Sequence, residues 1–143
     1  MGIAKVLLVD DERPFVETMN KRLTKRNLEV AAAYSGTEAL ERLGAMDSLE
    51  VVILDVKMPG MDGIETLREI KKQYPLVEVI MLTGHATVES AIEGMRLGAF
   101  DYLMKPCDME QLLAKVQEAA AKKRQHDEKI IQARLKEITS RRP

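Results

Sequence analysis

Short apolar runs alternate along the chain with longer stretches in which apolar residues recur every three or four positions. The short runs are typical of buried strands, and the longer stretches are typical of amphipathic helices. This alternation continues five times, which indicates successive strand–helix units and a mostly parallel sheet. The predicted strands cover residues 4–10, 28–33, 50–55, 77–83 and 100–104.

Capping and breaking residues set the bounds of the predicted helices. Ser35, with Glu38 three residues later, is typical of a capping box, and Gly98 is a usual left-handed helix terminator. Pro14 stands near a helix start, where its missing N–H costs nothing. The predicted helices cover residues 14–26, 35–46, 64–74 and 87–97, and a last helix begins after Asp108.

Three of the predicted strands end on charged residues: Asp10 and Asp11 follow the first, Asp55 the third and Lys105 the fifth. Because the carboxyl ends of parallel strands share one edge of a sheet, we expect these side chains to meet in one pocket. Such a pocket can hold a hard divalent cation and present one carboxylate to a phosphoryl group. The alternative, that each acid only caps the next helix, explains one acid at a time but not all three beside Lys105.

Two further features belong to the same edge. Thr83 ends the fourth strand, where its hydroxyl can donate to a phosphoryl oxygen or simply terminate the strand. A cis peptide bond between Lys105 and Pro106, accessible at modest cost only before proline, would turn the lysine into the pocket. The lysine would then be a fixed point charge for a phosphate.

The charge of the chain is unevenly spread. The formal net charge is −1, and residues 122–143 carry +5 against −6 for the rest, so the body gives no sign of direct nucleic-acid binding. The single cysteine, Cys107, excludes an intrachain disulfide framework and fits a reducing, cytoplasmic compartment. No apolar run approaches the roughly 20 residues that a membrane helix needs, so no membrane association is expected.

The pattern predicts a domain over residues 1–121 and a basic helical extension or linker over residues 122–143. In the extension an apolar face returns at Ile130 or Ile131, Leu135 and Ile138. This face indicates either a solvated projecting helix or a surface for a partner or for a second copy of the chain.

Four segments together resemble the receiver domain of two-component response regulators. They are Val9–Glu12, Leu54–Gly63, Leu82–Gly84 and Phe100–Pro106, and the resemblance covers residues 4 to about 122. It implies a doubly wound α/β fold of the flavodoxin-like type, with five parallel strands in the order 2-1-3-4-5 and an extended C-terminal helix. It also implies that Asp55 accepts a phosphoryl group from a sensor histidine kinase.

The resemblance assigns roles to the other pocket residues as well. Asp11 would bind Mg²⁺ directly and Asp10 mainly through water, and Asp55 and the backbone carbonyl of Lys57 would complete the protein ligands. Thr83 and Lys105 would bind the phosphoryl group. A receiver catalyses only its own phosphorylation and dephosphorylation, so the chain is not expected to be an enzyme with another substrate.

The resemblance further implies how phosphorylation is read. Thr83 and Tyr102 would act as the switch, and the fourth helix, fifth strand and fifth helix, roughly residues 87–121, would form the readout surface. A downstream protein or output domain would bind there, and a homodimer is possible. Lys57 and His85 lie two residues beyond Asp55 and Thr83, where they are expected to tune hydrolysis of the phosphorylated state.

Other functions compete with this one. The region Thr83–Thr87 and the basic tail resemble receivers that precede an ATPase and a DNA-binding module in sigma-factor-activating regulators, so a stand-alone regulator and an N-terminal fragment both stay open. A haloacid-dehalogenase-type phosphatase needs a second aspartate where Lys57 stands. A pure interaction module would not need the complete charged set.

Five methionines are expected to fill the core: Met58, Met61, Met81, Met95 and Met104.

Overall fold

The computed structural model describes residues 4–140. Strands and helices alternate along the whole of this range, as the hydrophobic pattern predicts. They are β1 (Lys5–Val9), α1 (Arg13–Thr24), β2 (Glu29–Ala33), α2 (Gly36–Ala45), β3 (Val51–Leu54), α3 (Gly63–Gln73), β4 (Glu78–Thr83), α4 (Val88–Arg96), β5 (Asp101–Met104) and α5 (Met109–Ser140).

The five strands form one sheet in the order β2-β1-β3-β4-β5, and every neighbouring pair is parallel. The predicted doubly wound α/β fold is therefore confirmed. In this order β1 and β3 are neighbours, with Val9 opposite Leu54. The residues that follow these two strands consequently emerge side by side at the carboxyl edge of the sheet.

Each face of the sheet packs its own layer of helices. Successive residues of a strand point to opposite faces, so Leu8 joins Leu23 of α1 and Leu112 of α5 in one core cluster. Its neighbour Leu7 joins the other cluster, with Leu67 of α3 among its members. The three inner strands, β1, β3 and β4, are buried on both sides because helices cover both faces, which is why they appear in the sequence as continuous apolar runs.

The helix starts follow the capping residues. The Ser35 hydroxyl accepts a hydrogen bond from the Glu38 backbone N–H at 3.1 Å, as the sequence predicts. The Glu38 carboxylate accepts from the N–H of Tyr34 instead of that of Ser35. A full capping box starts α4, where Thr87 and Ser90 exchange side-chain and backbone hydrogen bonds.

Helix α5 runs through the predicted domain boundary without a break. Arg124 forms a bidentate ion pair with Glu50 at the start of β3, and Lys122 lies 3.4 Å from the buried Glu78 of β4. These contacts fix α5 against the amino edge of the sheet. Beyond them the predicted apolar face is exposed at Ile130, Ile131, Leu135 and Ile138.

The five methionines that the sequence analysis assigned to the core differ in burial, and Met61 is half-buried. Met58 and Met81 are buried and fill the core as expected. Met95 is 48% exposed and Met104 is 65% exposed, so for these two the prediction of core packing was wrong. Both lie at the α4–β5 side of the molecule, where the exposed Val88 and Ile92 are also found.

Across residues 4–140, none of the helices combines the length and the apolar character needed to cross a membrane.

Candidate functional site

Three carboxylates meet at the carboxyl edge of the sheet. Asp10 and Asp11 follow β1 and Asp55 follows β3, and one oxygen of each lies within 4.8 Å of the others. Asp10 and Asp55 are almost fully buried, whereas Asp11 is exposed. The structure therefore brings together the acidic residues that the strand ends predict, with one of them open to solvent.

The backbone holds one oxygen of each buried carboxylate. The N–H of Glu12 donates to Asp10 Oδ1 at 2.9 Å, and the N–H of Val56 donates to Asp55 Oδ1 at 2.8 Å. The two Oδ2 atoms are the ones that approach Lys105. Each carboxylate is thus fixed by one oxygen while the other faces the pocket.

Lys105 enters the same pocket from the end of β5. The peptide bond between Lys105 and Pro106 is cis, as the sequence predicts. The ammonium group lies 2.6 Å from Asp10 Oδ2 and 3.9 Å from Asp55 Oδ2. Burial alone would lower the pKa of Lys105, but the hydrogen bond and negative charge of Asp10 outweigh it, and the pKa is raised. The lysine is accordingly a cation at neutral pH.

Burial and the nearby Asp10 carboxylate raise the pKa of Asp55, against the opposing effects of a hydrogen bond with Thr83 and the charge of Lys105. One ammonium group therefore does not neutralise the acidic cluster. A divalent cation beside the three carboxylates would supply the missing positive charge. Hard carboxylate oxygens at this spacing are the donors that Mg²⁺ prefers, so the residues fit such an ion.

Of the two predicted switch residues, Thr83 lies beside this cluster and Tyr102 contacts α4. Thr83 is fully buried at the end of β4, and its hydroxyl accepts a hydrogen bond from the N–H of His85 at 3.0 Å. Tyr102 of β5 is half-buried, and its hydroxyl lies 2.5 Å from Ser90 Oγ on α4. Tyr102 therefore contacts the residue whose side chain also caps α4.

The predicted tuning residues lie at the mouth of the site. Lys57 and His85 are exposed and line two neighbouring cavities of about 420 and 440 Å³. Asp11 lines the first of these cavities. The mouth gives solvent and ligands a route to the exposed edge of the acidic cluster.

Sequence reasoning missed three contributors to the site. Glu12 places Oε1 3.5 Å from the Lys105 ammonium, and the ring of Phe15 lies under the same ammonium, with its centroid 3.9 Å away. Gly63 donates its N–H to the carbonyl of Val56 at 2.7 Å and packs directly on the backbone of Asp55. The acidic run Asp10–Glu12 signalled the first, and the segment Leu54–Gly63 already contained the third without showing its contact with Asp55. Phe15 has no local signal that connects it to Lys105, which lies far away along the chain.

Comparison with known proteins agrees with this geometry. The family of response regulator receiver domains matches residues 6–117. That range contains all of β2 to β5, β1 from its second residue onward, and the pocket residues described above. The chain belongs to the response regulator receiver domain family.

Two curated relatives are transcription regulators of Escherichia coli K12. The chain is 39% identical over 116 residues to the transcriptional regulatory protein ZraR, an alignment that covers 81% of this chain and 26% of ZraR. It is 36% identical over 114 residues to the DNA-binding transcriptional regulator NtrC, covering 80% of this chain and 24% of NtrC. The chain thus spans about a quarter of the length of these relatives.

Solved structures show the same fold. A response regulator receiver domain protein from Clostridium thermocellum superimposes with a TM-score of 0.81 at 40% identity, covering 85% of this chain and 97% of that one. NtrX from Brucella abortus superimposes with a TM-score of 0.79 at 31% identity, covering 87% of this chain and 29% of NtrX.

Proposed function

We propose that the chain is a phosphoacceptor whose Asp55 takes a phosphoryl group from the phosphohistidine of a sensor histidine kinase in a Mg²⁺-dependent reaction. The observation that carries this proposal is the meeting of Asp10, Asp11, Asp55 and Lys105 at one edge of the sheet. A buried carboxylate beside one ammonium group and two further carboxylates suits in-line phosphoryl transfer, which depends mainly on positioning and on neutralising charge.

The residues have distinct tasks in this reaction. An oxygen of Asp55 forms the new P–O bond as the P–N bond of the phosphohistidine breaks. Lys105 neutralises charge on the transferring group, and the Thr83 hydroxyl donates a hydrogen bond to it. Asp10, Asp11 and Asp55, with the carbonyl of Lys57, would hold the Mg²⁺, which would neutralise phosphoryl charge. The chain catalyses its own phosphorylation and dephosphorylation and is not an enzyme with a separate substrate.

A small phosphodonor tests this proposal without a kinase. Acetyl phosphate and Mg²⁺ are expected to add one phosphoryl group per chain, which is detected as a mass increase. When EDTA removes the metal beforehand, no mass increase is expected. Continuous release of phosphate from a phosphate monoester would instead favour the phosphatase alternative. No modification in the presence of both acetyl phosphate and Mg²⁺ would contradict phosphoacceptor function.

The exposed apolar residues of α4 and β5 support a readout role for the α4–β5–α5 face. Val88 is 75% exposed and Met104 65% exposed, and both lie at this face with Ile92 and Met95. An apolar group of this kind on a protein surface is typical of a binding site. We propose that a downstream protein or an output domain docks there. The similarity to ZraR and NtrC favours an output in transcription, with this chain as the receiver part of a longer regulator.

The Tyr102–Ser90 contact offers a route from the site to this face. Movement of the Thr83 hydroxyl toward a phosphoryl group would open space for Tyr102 to turn inward. Because Ser90 also caps α4, loss of the Tyr102 contact would alter the start of that helix. The switch therefore acts on α4 through a residue that belongs to its cap.

Lys57 and His85 are expected to control how long phosphorylated Asp55 lasts. Both side chains line the mouth, so Lys57→Ala and His85→Ala should admit water and shorten the lifetime about threefold or more while changing formation less. Phosphate release after removal of the donor measures the lifetime. Lys72→Ala, which removes an exposed lysine of α3, is the control. Unchanged lifetimes in both mouth variants would contradict the assignment.

Self-association of the α5 extension is a further part of the proposal. Ile131, Leu135 and Ile138 are each more than half exposed and recur at spacings of four and three residues, which is the spacing of a helix pair. Sedimentation before and after treatment with the phosphodonor measures whether the mass doubles. The domain boundary near residue 121 and the cytoplasmic location remain predictions.

A further inference from the structure

Within the described residues 4–140, three carboxylates and one uncharged aromatic ring approach the Lys105 ammonium. Asp10, Glu12 and Asp55 approach it at 2.6, 3.5 and 3.9 Å. The fourth neighbour is the ring of Phe15 in the first turn of α1, whose centroid lies 3.9 Å from Nζ. An ammonium group this close to the face of a ring makes a cation–π interaction.

The packing of the core fixes the position of the Phe15 ring. The ring is half-buried and packs against the core cluster formed by β1, β3, α1 and α5. The Lys105 side chain is only 15% exposed, so its interaction with the ring is partly shielded from water and correspondingly stronger. The ring is therefore a fixed platform, not a mobile surface group.

Two of the three charged neighbours of Lys105, Asp10 and Asp55, change during the proposed reaction, whereas the ring does not. Glu12 keeps its charge, but its side chain is 59% exposed, so water screens its attraction to the ammonium. Asp10 has to turn its charge toward a bound cation, and Asp55 loses its free carboxylate when it is phosphorylated. Each change weakens an attraction that holds the ammonium in the resting protein. The attraction to Phe15 depends on neither the cation nor the state of Asp55.

We infer that Phe15 is a positioning residue that keeps the Lys105 ammonium directed at the phosphoryl group while Asp10 and Asp55 change. This inference rests on the proposed function and adds a residue to that site. Phe15 touches neither the metal nor the phosphoryl group and acts only through Lys105. The negative face of its ring, and not only its volume, holds the ammonium in place.

The chain contains only two phenylalanines, Phe15 and Phe100, which makes a clean test possible. Fluorinated phenylalanines of increasing fluorine content, inserted at one position at a time, weaken the negative ring face while nearly preserving size. At Phe15 the rate of phosphorylation by acetyl phosphate should fall stepwise, by about tenfold from the unmodified to the fully fluorinated ring. At Phe100, which lies 5.7 Å from Lys122 and away from the site, the rate should not change.

Ordinary substitutions provide the matching comparison. Phe15→Tyr retains an aromatic face and should keep the rate within about twofold, whereas Phe15→Leu retains apolar bulk and should lose about tenfold. Thermal unfolding of each variant shows whether packing has changed. If the phosphorylation rate fell as much in Phe15→Tyr as in Phe15→Leu, Phe15 would act through packing alone, and the inference would be overturned.

Nuclear magnetic resonance gives a readout that needs no phosphorylation. The ring current of Phe15 should shift the Lys105 ε-methylene protons upfield, and the shift should vanish in Phe15→Leu and persist in Phe100→Leu. Absence of the upfield shift, or a flat fluorine series at Phe15, would overturn the inference. If the unmodified chain takes no phosphoryl group, the proposed phosphorylation fails, and the proton shift still decides whether the ring holds the lysine.

Discussion

Replacing Asp55 with asparagine is expected to abolish Mg²⁺-dependent phosphorylation, lowering the rate by at least about 100-fold. The amide nitrogen and oxygen cannot replace the carboxylate as nucleophile. The same substitution is expected to stabilise the metal-free protein, because it removes a buried charge from beside the Asp10 carboxylate. The gain should be on the order of 1 kcal/mol, or about 3–5 °C in Tm.

The stability gain of Asp55→Asn has a definite pH dependence. Burial raises the pKa of Asp55 in the folded protein above the ordinary value of an aspartate, so the folded state retains this proton to higher pH than the unfolded state does. Stability due to Asp55 is therefore present in acid and is lost as the pH rises past the unfolded value. The advantage of the asparagine variant should be small in acid and largest at neutral pH.

Two comparisons make this experiment decisive. Asp62→Asn changes another aspartate, whose Oδ1 caps α3, and asparagine caps equally well, so labelling and Tm should stay near those of the unmodified chain. Added Mg²⁺ should raise the Tm of the unmodified chain more than that of Asp55→Asn, because the variant lacks one carboxylate. Phosphorylation of Asp55→Asn at the normal rate would show that another residue is the acceptor.

Much of the site follows from where the strands end. Asp10, Asp55 and Lys105 are each the first residue after an apolar run. Because parallel strands end at the same edge of a sheet, the strand arrangement alone is enough to predict that these residues meet there. The pattern therefore predicts the fold and the acidic cluster, although it places several strand and helix ends one or two residues away from those in the structure.

Contacts between elements are harder to predict. The α1 residue Phe15 looks like any apolar residue on a helix face, and only the packing of α1 against the edge of the site places its ring under Lys105. Met95 and Met104 fit the helix and strand patterns, yet they are exposed because α4 and β5 lie at the side of the sheet with few neighbours. Apolar periodicity shows which residues share a face but not whether that face is covered.

Replacing Gly63 with alanine is expected to have the second large effect. A β-carbon at Gly63 would lie 2.7 Å from Val56 Cα and even closer to the carbonyl oxygen of Asp55. Both are backbone atoms, so neither can move aside as a flexible side chain would. The substitution should lower the free energy of unfolding by about 3 kcal/mol, or about 10 °C in Tm.

Gly63→Ala should also slow phosphorylation, because the added methyl group pushes on the backbone that holds Asp55 in place. A small displacement of the nucleophile from its aligned geometry is enough to lower the rate by about tenfold or more. Acetyl phosphate labelling at a temperature well below the Tm separates this effect from unfolding. Recovery of the normal rate under those conditions would limit the role of Gly63 to stability.

Two other glycines serve as controls for Gly63. Gly60, in the same loop, has a φ of +73° and open space around it. Gly60→Ala should therefore lower the free energy of unfolding by only about 1 kcal/mol, because alanine disfavours the left-handed conformation. Gly94 lies within α4, and its β-carbon would make ordinary contacts of 3.7 Å, so alanine there should be neutral or slightly stabilising. If all three variants lost the same stability, the close approach of Gly63 to Asp55 would not be the cause.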